Sequence, residues 1–273
     1  KKYAPDASII HIDIDAAEIN KNVRVDVAIN NDAREVLQSL IPLVNLNSYE
    51  KWIREFRICD KTEFDKVIRN EIKPGSGEIK MGEVVKLISD LTKGEAVIVT
   101  DVGQNQMVTA RYYRFSEPNT LVTSGGLGTM GFGLPAAVGA RLGSDKKEVI
   151  TFLGDGGFQM TIQELGTIMQ YNIGVKIVIL NNSYLGMVRQ WQDMFFGKRY
   201  ASTEMVNPDF VAIAAAYRIP ARKVSERGNL ESSVKEMLAT DGPYLLEVTI
   251  EKETNVMPMV QPGASVSEIK LTH

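Results

Sequence analysis

The sequence predicts an α/β fold, a doubly wound and mostly parallel sheet with helices on both faces. Three observations carry this expectation. VITFLGD (149–155), VKIVILNN (175–182) and PYLLEVTI (243–250) are continuous apolar runs rather than alternating ones, the pattern of strands covered on both sides. Segments of helical length and spacing lie between such runs, as crossovers between parallel strands require. Gly, Asp and Asn gather where the runs end, at the sheet edge where ligands bind in this architecture.

Taken in order, SIIHIDI (8–14) and the alternating VRVDVAI (23–29) read as strands, and NDAREVLQSLIPLV (31–44) as an amphipathic helix capped by Asn or Asp. These 45 residues are too few to bury a core alone and read as the tail of a domain. The charged stretch 49–72 carries Trp52, Phe56, Phe64 and Ile68 at helical spacing, and KPGSGEIK follows as a boundary. Residues 1–45, 46–78 and 79–273 are therefore expected to be a domain tail, a linker segment and a main domain. From residue 79 strands and helices alternate. Helices are expected at 81–91, 133–143, 161–172, 186–195, 210–218 and 230–238, with 106–115 helical or irregular. Strands are expected at 95–103, 121–124, 149–155, 175–182 and 243–250. The chain opens on KKYAPDASII, with neither an initiator Met nor an apolar signal segment, and reads as starting inside a longer protein.

Composition excludes several function classes. Apolar content of 44% and charged content of 24% are those of a soluble globular protein. A net charge of -3 offers no basic footprint for nucleic acid, and no apolar run is long enough to span a bilayer. The one cysteine, Cys59, rules out an internal disulfide and fits a reducing cytoplasm. The only histidines, His11 and the terminal His273, leave little for a Ser-His-Asp triad or a His-rich metal site. An enzyme of this composition is expected to rely on a cofactor for its difficult step.

The stretch GDGGFQMTIQELGTIMQYNIGVKIVILNN (154–182) joins two such strands by one helical crossover. If the strands are neighbours, Asp155 and Asn182 emerge together at the carboxyl edge. A carboxylate and an amide oxygen are hard donors suited to Mg²⁺, which usually keeps substrate phosphates among its ligands. Gly156 and Gly157 let backbone approach a phosphate closely. A helix starting near Thr161 would add free N–H groups. The bland alternative is a D-G turn plus an Asn-rich loop. A D-G hairpin does not fit, because a helix follows instead of a pairing strand.

GDG followed by NN at this separation resembles the binding motif of the thiamine diphosphate enzymes. The resemblance implies that Asp155, Asn182 and the backbone carbonyl of Tyr184 bind Mg²⁺, and that Gly154, Gly156, Leu185 and Gly186 lie against the cofactor. SGGLGTMGFGLPAA (124–137) and LGMVRQWQDMFF (185–196) resemble segments of the acetohydroxyacid (acetolactate) synthases. NVMPMVQPGASVSEI (255–269) resembles their C-terminal segment, which folds over the active site, and HIDIDAAEI (11–19) the late part of their middle domain. The implied fold is a thiamine diphosphate-binding domain preceded by the tail of a truncated Rossmann-like middle domain. The implied chain is the C-terminal half of a catalytic subunit.

The same resemblance implies individual roles. Met130 would wedge the cofactor into its V shape, and the Gly128 carbonyl would hold the 4'-amino group of its pyrimidine. Gln104 and Asn105 would lie at the diphosphate with Gly157. Trp191, Met187 and Val188 would shape the pocket for the second 2-oxoacid. Pyruvate would be decarboxylated on the cofactor, and the hydroxyethyl unit joined to pyruvate or 2-oxobutyrate. This would be the first common step of branched-chain amino-acid synthesis. FAD would be held by the full-length parent, where Asp13 and Asp15 could meet its adenosine part, although strand-end solvation explains both carboxylates equally well. The site would lie between subunits of a homodimer or tetramer, a small regulatory subunit could join it, and the enzyme would be cytoplasmic.

This chain has GQNQ where the family usually has GQHQ, so Asn105 can donate to a phosphate oxygen but cannot become cationic. The activating glutamate and the substrate-binding lysine and glutamine of the family lie outside the matched segments, so the chain alone is expected to be inactive. Sister enzymes on the same cofactor are the nearest alternative, namely pyruvate oxidase, pyruvate decarboxylase or an acetolactate synthase without FAD. A second alternative is a dehydrogenase, because GLGTMG (126–131) fits G-x-G-x-x-G with Asp155 at the next strand end. A third is a non-catalytic module that retains the fold.

Overall fold

The computed structural model describes residues 5–144 and 148–272. His273 and the first four residues of the expected domain tail lie outside them. The chain divides into two compact units, residues 1–62 with 260–269, and residues 63–259 with 270–273. The division falls inside the helical stretch 50–72.

In the first unit, β1 (Ile10–Asp13) and β2 (Val27–Asn30) pair in parallel, with Ile10 opposite Val27 and Asp13 opposite Asn30. The helix α1 (Ala33–Leu40) follows, its Asp32 carboxylate accepting from Arg34 N at 2.8 Å. A single 3₁₀ turn (Ile41–Leu43) closes it, with Pro42 inside. The helix α2 (Glu50–Glu63) comes next. Asp13 and Asp15 each cap local backbone, accepting from Asp15 N at 2.8 Å and Ala17 N at 2.9 Å.

The second unit begins with a π-helical turn (Phe64–Ile68) and α3 (Arg69–Ile72). The elements α4 (Met81–Leu91), β3 (Val97–Thr100), α5 (Gln104–Tyr112), β4 (Leu121–Val122), α6 (Gly133–Leu142) and β5 (Val149–Gly154) then follow. The crossover from β5 to β6 (Val175–Asn181) holds two helices, α7 (Asp155–Met160) and α8 (Glu164–Tyr171). The rest comprises α9 (Gly186–Phe195), α10 (Phe210–Ala216), β7 (Ala221–Val224), α11 (Leu230–Ala239) and β8 (Tyr244–Thr249).

The six strands β3 to β8 form one sheet in the order β4-β3-β5-β6-β8-β7, and every pair is parallel. Neighbouring residues on a strand feed two different cores, which is why the strands read as unbroken apolar runs. Ile98, Ile150, Phe152, Val178 and Leu246 pack with α4, α5 and α11. Val97, Val99, Leu153, Ile177 and Ile179 pack on the other face with α6, α8 and α10. Fully burying one such side chain stabilises the fold by about 1.5–3 kcal/mol. The doubly wound parallel sheet expected from the sequence is the fold observed.

Two local expectations need correction. The edge strand β7 was not anticipated, because ARKV is short, charged and only partly buried. The helix expected at 161–172 is α8, and a further short helix that was not expected, α7, precedes it from Asp155. No helix of the described residues is long and apolar enough to cross a membrane.

Candidate functional site

The strands β5 and β6 are adjacent at the centre of the sheet, with Gly154 opposite Leu180. Asp155 directly follows the first and Asn182 the second. Gln104 and Asn105 start α5, shortly after β3 on the other side of β5. The carboxyl ends of three neighbouring strands thus converge, as expected for a ligand site in this sheet class.

They surround a cavity of about 310 Å³. Its wall includes Gln104, Asn105, Gly128 and Met130. Gly154, Asp155, Gly156 and Gly157 line it from the second strand end, and Asn182, Tyr184, Leu185, Gly186, Met187 and Val188 from the third. Every residue that the sequence placed against a cofactor therefore meets this one space. Trp191 does not line it. That residue sits one turn further along α9, 38% exposed, with its ring edge-on to Phe195 at 5.2 Å. At that exposure it is not a core residue. Met81, Gln106 and Met107 also line the cavity and were missed. Gln106 and Met107 stand beside Gln104 and Asn105 at the start of α5, and Met81 opens α4.

Asp155 is 1% exposed and, among the described residues, is the only carboxylate on the wall. Burial pushes it up to about 6, against hydrogen bonds from Asn207 and from backbone N–H groups that pull it down. Asn207 Nδ2 donates to Asp155 Oδ2 at 2.6 Å and to Asn181 Oδ1 at 3.0 Å, and its own Oδ1 accepts from Gln159 Nε2 at 2.9 Å. Sequence reasoning missed Asn207, since a side-chain bond across 52 positions leaves no local trace. Asn207→Ala is expected to destabilise the fold by about 1–3 kcal/mol, because the Asp155 and Asn181 oxygens lose a buried donor. Denaturant titration measures this, and an unchanged midpoint would dismiss the role.

The two asparagines of the NN pair act differently. Asn181 faces inward, donating to Glu247 Oε1 at 2.7 Å and accepting from Ser183 N at 3.0 Å. That bracket turns the chain at Ser183, whose φ is +56°. Asn182 instead faces the cavity, its Oδ1 accepting from Tyr184 N at 3.1 Å. Two cations lie over the Tyr184 ring, the Arg189 guanidinium 4.9 Å and Lys252 Nζ 4.8 Å from its centroid. The turn that carries the Tyr184 carbonyl is thereby fixed.

The residues present fit a divalent cation with a diphosphate. Among the described residues no cluster of three or more His, Cys, Asp or Glu could hold a metal. The donor set here is one carboxylate with amide and carbonyl oxygens, which suits Mg²⁺ better than a soft metal. Gly156 and Gly157 lie in the first turn of α7, whose N–H groups have no backbone partner within the helix, although that of Gly156 bonds the Asp155 carboxylate. The cavity also leaves Asn105 Oδ1 buried without a hydrogen-bond partner, while its Nδ2 reaches Val102 O at 3.4 Å. The first-turn amides belong to α7 and not, as the sequence suggested, to a helix near Thr161.

The geometry does not favour a dinucleotide fingerprint at GLGTMG. It follows the two-residue edge strand β4, and Asp155 ends β5, with β3 between them. A βαβ dinucleotide site needs its glycine turn and its acidic residue on neighbouring strands.

Comparison with known proteins agrees with this geometry. Residues 101–248 match the family model described as "Thiamine pyrophosphate enzyme, C-terminal TPP binding domain", and residues 1–40 match the central domain of the same enzymes. The chain is 41% identical over 268 residues to the acetolactate synthase isozyme 2 large subunit of Escherichia coli, covering 98% of this chain and 47% of that protein. It is 42% identical over 271 residues to the acetolactate synthase large subunit of Lactococcus lactis, covering 98% and 46%. It is also 42% identical over 283 residues to a probable acetolactate synthase large subunit of Methanococcus aeolicus, covering 98% and 47%. The chain spans about half the length of the curated relatives it matches. With the family model matching more than half of the residues, and with strand ends inside the matched range closing on one cavity, the chain belongs to the thiamine pyrophosphate enzymes.

Proposed function

We propose that this chain is the cofactor-binding half of an acetolactate synthase large subunit. One observation carries the reading. Asp155 and Asn182 end adjacent central strands on one cavity, and the GMVRQWQ helix α9 contributes Met187 and Val188 to its wall. Relatives at about 40% identity over nearly the whole chain support it.

Asp155, Asn182 and the Tyr184 carbonyl would hold Mg²⁺, and the cation with the α7 amides would hold the diphosphate. Bound there, thiamine diphosphate supplies the electron sink that pyruvate needs in order to lose CO₂. Met130 would support the ring system from the side of the GLGTMG loop, and the Gly128 carbonyl would orient its amino group. Met130, Met187 and Val188 give the cavity an apolar stretch that excludes water from the reacting carbons. Trp191, beyond the cavity on the same helix, would meet the second 2-oxoacid.

The relatives are named large subunits, which supports a smaller partner for this protein too. A homodimer or tetramer with its site between subunits, FAD in the full-length protein and a cytoplasmic location belong to the same proposal.

The test gives the full-length protein pyruvate, Mg²⁺ and thiamine diphosphate, with and without FAD and 2-oxobutyrate, and identifies the products. Acetolactate, joined by acetohydroxybutyrate when 2-oxobutyrate is present, is the expected result. Acetaldehyde or acetyl phosphate in its place would keep the cofactor site and overturn the reaction. In the same assay Trp191→Leu is expected to lower the preference for 2-oxobutyrate over pyruvate by about tenfold or more. One methylene against an apolar wall is worth about 1–3 kcal/mol. An unchanged product ratio in competition would remove Trp191 from the specificity pocket.

A further inference from the structure

Gln190 is fully buried and does not line the cavity, yet its amide is held at both ends. Its Oε1 accepts from Val256 N at 2.8 Å and from Gln104 Nε2 at 2.9 Å, and its Nε2 donates to Val256 O at 3.0 Å. A backbone N–H can only donate and a backbone carbonyl can only accept. The Val256 peptide groups therefore dictate which end of the Gln190 amide is oxygen.

That choice propagates. Gln104 meets the Gln190 oxygen and the Thr254 carbonyl (2.9 Å), so it must present its NH₂ group to both. Its Oε1 then points the other way, towards Asn182 Nδ2 at 3.5 Å. With nitrogen on that branch, the Asn182 oxygen lies on the other, where it accepts from Tyr184 N and keeps a second lone pair. Gly186 makes room for the link, because a Cβ there would lie 2.2 Å from Gln104 Oε1 and 3.0 Å from Asn182 Nδ2.

We infer that Gln190 is a positioning residue. It relays the hydrogen-bond polarity of the Val256 backbone through Gln104 to Asn182, so that Asn182 offers oxygen and not nitrogen to a divalent cation. This rests on the reading that Asp155 and Asn182 hold that cation. It also gives Gln104 a task besides any contact with the diphosphate.

The test measures thiamine diphosphate binding to the full-length protein by equilibrium dialysis as Mg²⁺ is titrated, with apo melting temperatures in parallel. Outer partners of metal ligands typically matter by about 10–100-fold in metal affinity. Gln190→Met is expected to raise the half-saturating Mg²⁺ concentration about tenfold, with binding restored at high Mg²⁺. Gln190→Glu, which keeps an acceptor towards Gln104 and Val256 N, should shift it less than the Met variant does. The double variant Gln104→Met with Gln190→Met should be no worse than Gln104→Met alone, because both act on one link.

An unchanged Mg²⁺ requirement in Gln190→Met, or additive effects in the double variant, would overturn the relay. If Gln190→Met does not fold, a Mg²⁺ shift in Gln190→Glu as large as in Gln104→Met would overturn it as well. Binding by the unaltered protein without any need for Mg²⁺ would instead overturn the underlying site.

Discussion

Gly157→Ala is expected to cost the fold about 3–5 kcal/mol and to abolish cofactor binding, although it adds one methyl group. A Cβ at 157 would lie 1.6 Å from Asp101 Oδ2 and 2.8 Å from its Cγ, far inside any allowed contact. A flexible surface carboxylate would swing aside, but Asp101 is fully buried at the end of β3. Its Oδ1 accepts from Gly133 N at 3.4 Å and N–H groups of Val102, Gly131 and Phe132 also pull on the carboxylate, while Oδ2, the atom the methyl would strike, is buried without a hydrogen-bond partner. Burial pushes this carboxyl above its ordinary range and those amides pull it back. Breaking them to admit the methyl would strand a buried charge, a loss of the size quoted. The other escape lifts α7 away from Asp101 and carries Asp155 with it. Both routes damage the cavity. Gly139→Ala is the control, since its Cβ would meet nothing within 4 Å and lies inside α6. There the helix should gain about 0.5–1 kcal/mol. Thermal melts and thiamine diphosphate binding on both variants decide the matter. A Gly157→Ala protein that melts and binds normally would show that Asp101 is not fixed.

The contrast between these glycines shows what can be read from sequence and what cannot. The strands at 149–155 and 175–182 were legible because burial on both faces makes nearly every position of a run apolar, Thr151 and Lys176 being the exceptions before the strand ends. Asp155 and Asn182 were legible as the ends of two apolar runs that would meet if their strands were neighbours, and the sheet order makes them neighbours. The start of α7 was not legible, since Gly-Gly has poor helix propensity and suggested a loop. Three-dimensional crowding decides that helix, with Gly157 against Asp101 and Gly156 against Leu185 and Met205. Gln190 was visible within GMVRQWQ, but nothing local marks its bonds to Gln104 and Val256, 86 and 66 positions away. β7 has neither apolar run nor alternation and takes its conformation from pairing with β8.

Asp155→Asn is expected to separate stability from binding. Burial raises the carboxyl to about 6, so keeping it ionised at neutral pH costs roughly 3 kcal/mol. The sign follows from linkage. An acid whose folded value is raised contributes fully below its unfolded value, and the contribution is lost as pH rises through about 6. At pH 7 the ionised group is therefore a net burden on the empty protein. An asparagine at 155 keeps an oxygen for Asn207 Nδ2 and sheds the burden, so the apo melting temperature should hold or rise. Among the described residues the cavity would then have no ionised carboxylate on its wall, because Asp155 is the only Asp or Glu of them that lines it. A dication seated only on amide and carbonyl oxygens loses its strongest attraction. The Mg²⁺ needed for thiamine diphosphate binding should rise at least 100-fold, about 2.7 kcal/mol. Chelating the metal from the unaltered protein should reproduce that loss of binding. Opposite movements of melting temperature and Mg²⁺ affinity distinguish a residue kept for its ligand from one kept for the fold. An Asp155→Asn protein with the original Mg²⁺ requirement would show that the cation sits elsewhere. A protein destabilised along with its binding would make Asp155 a structural carboxylate.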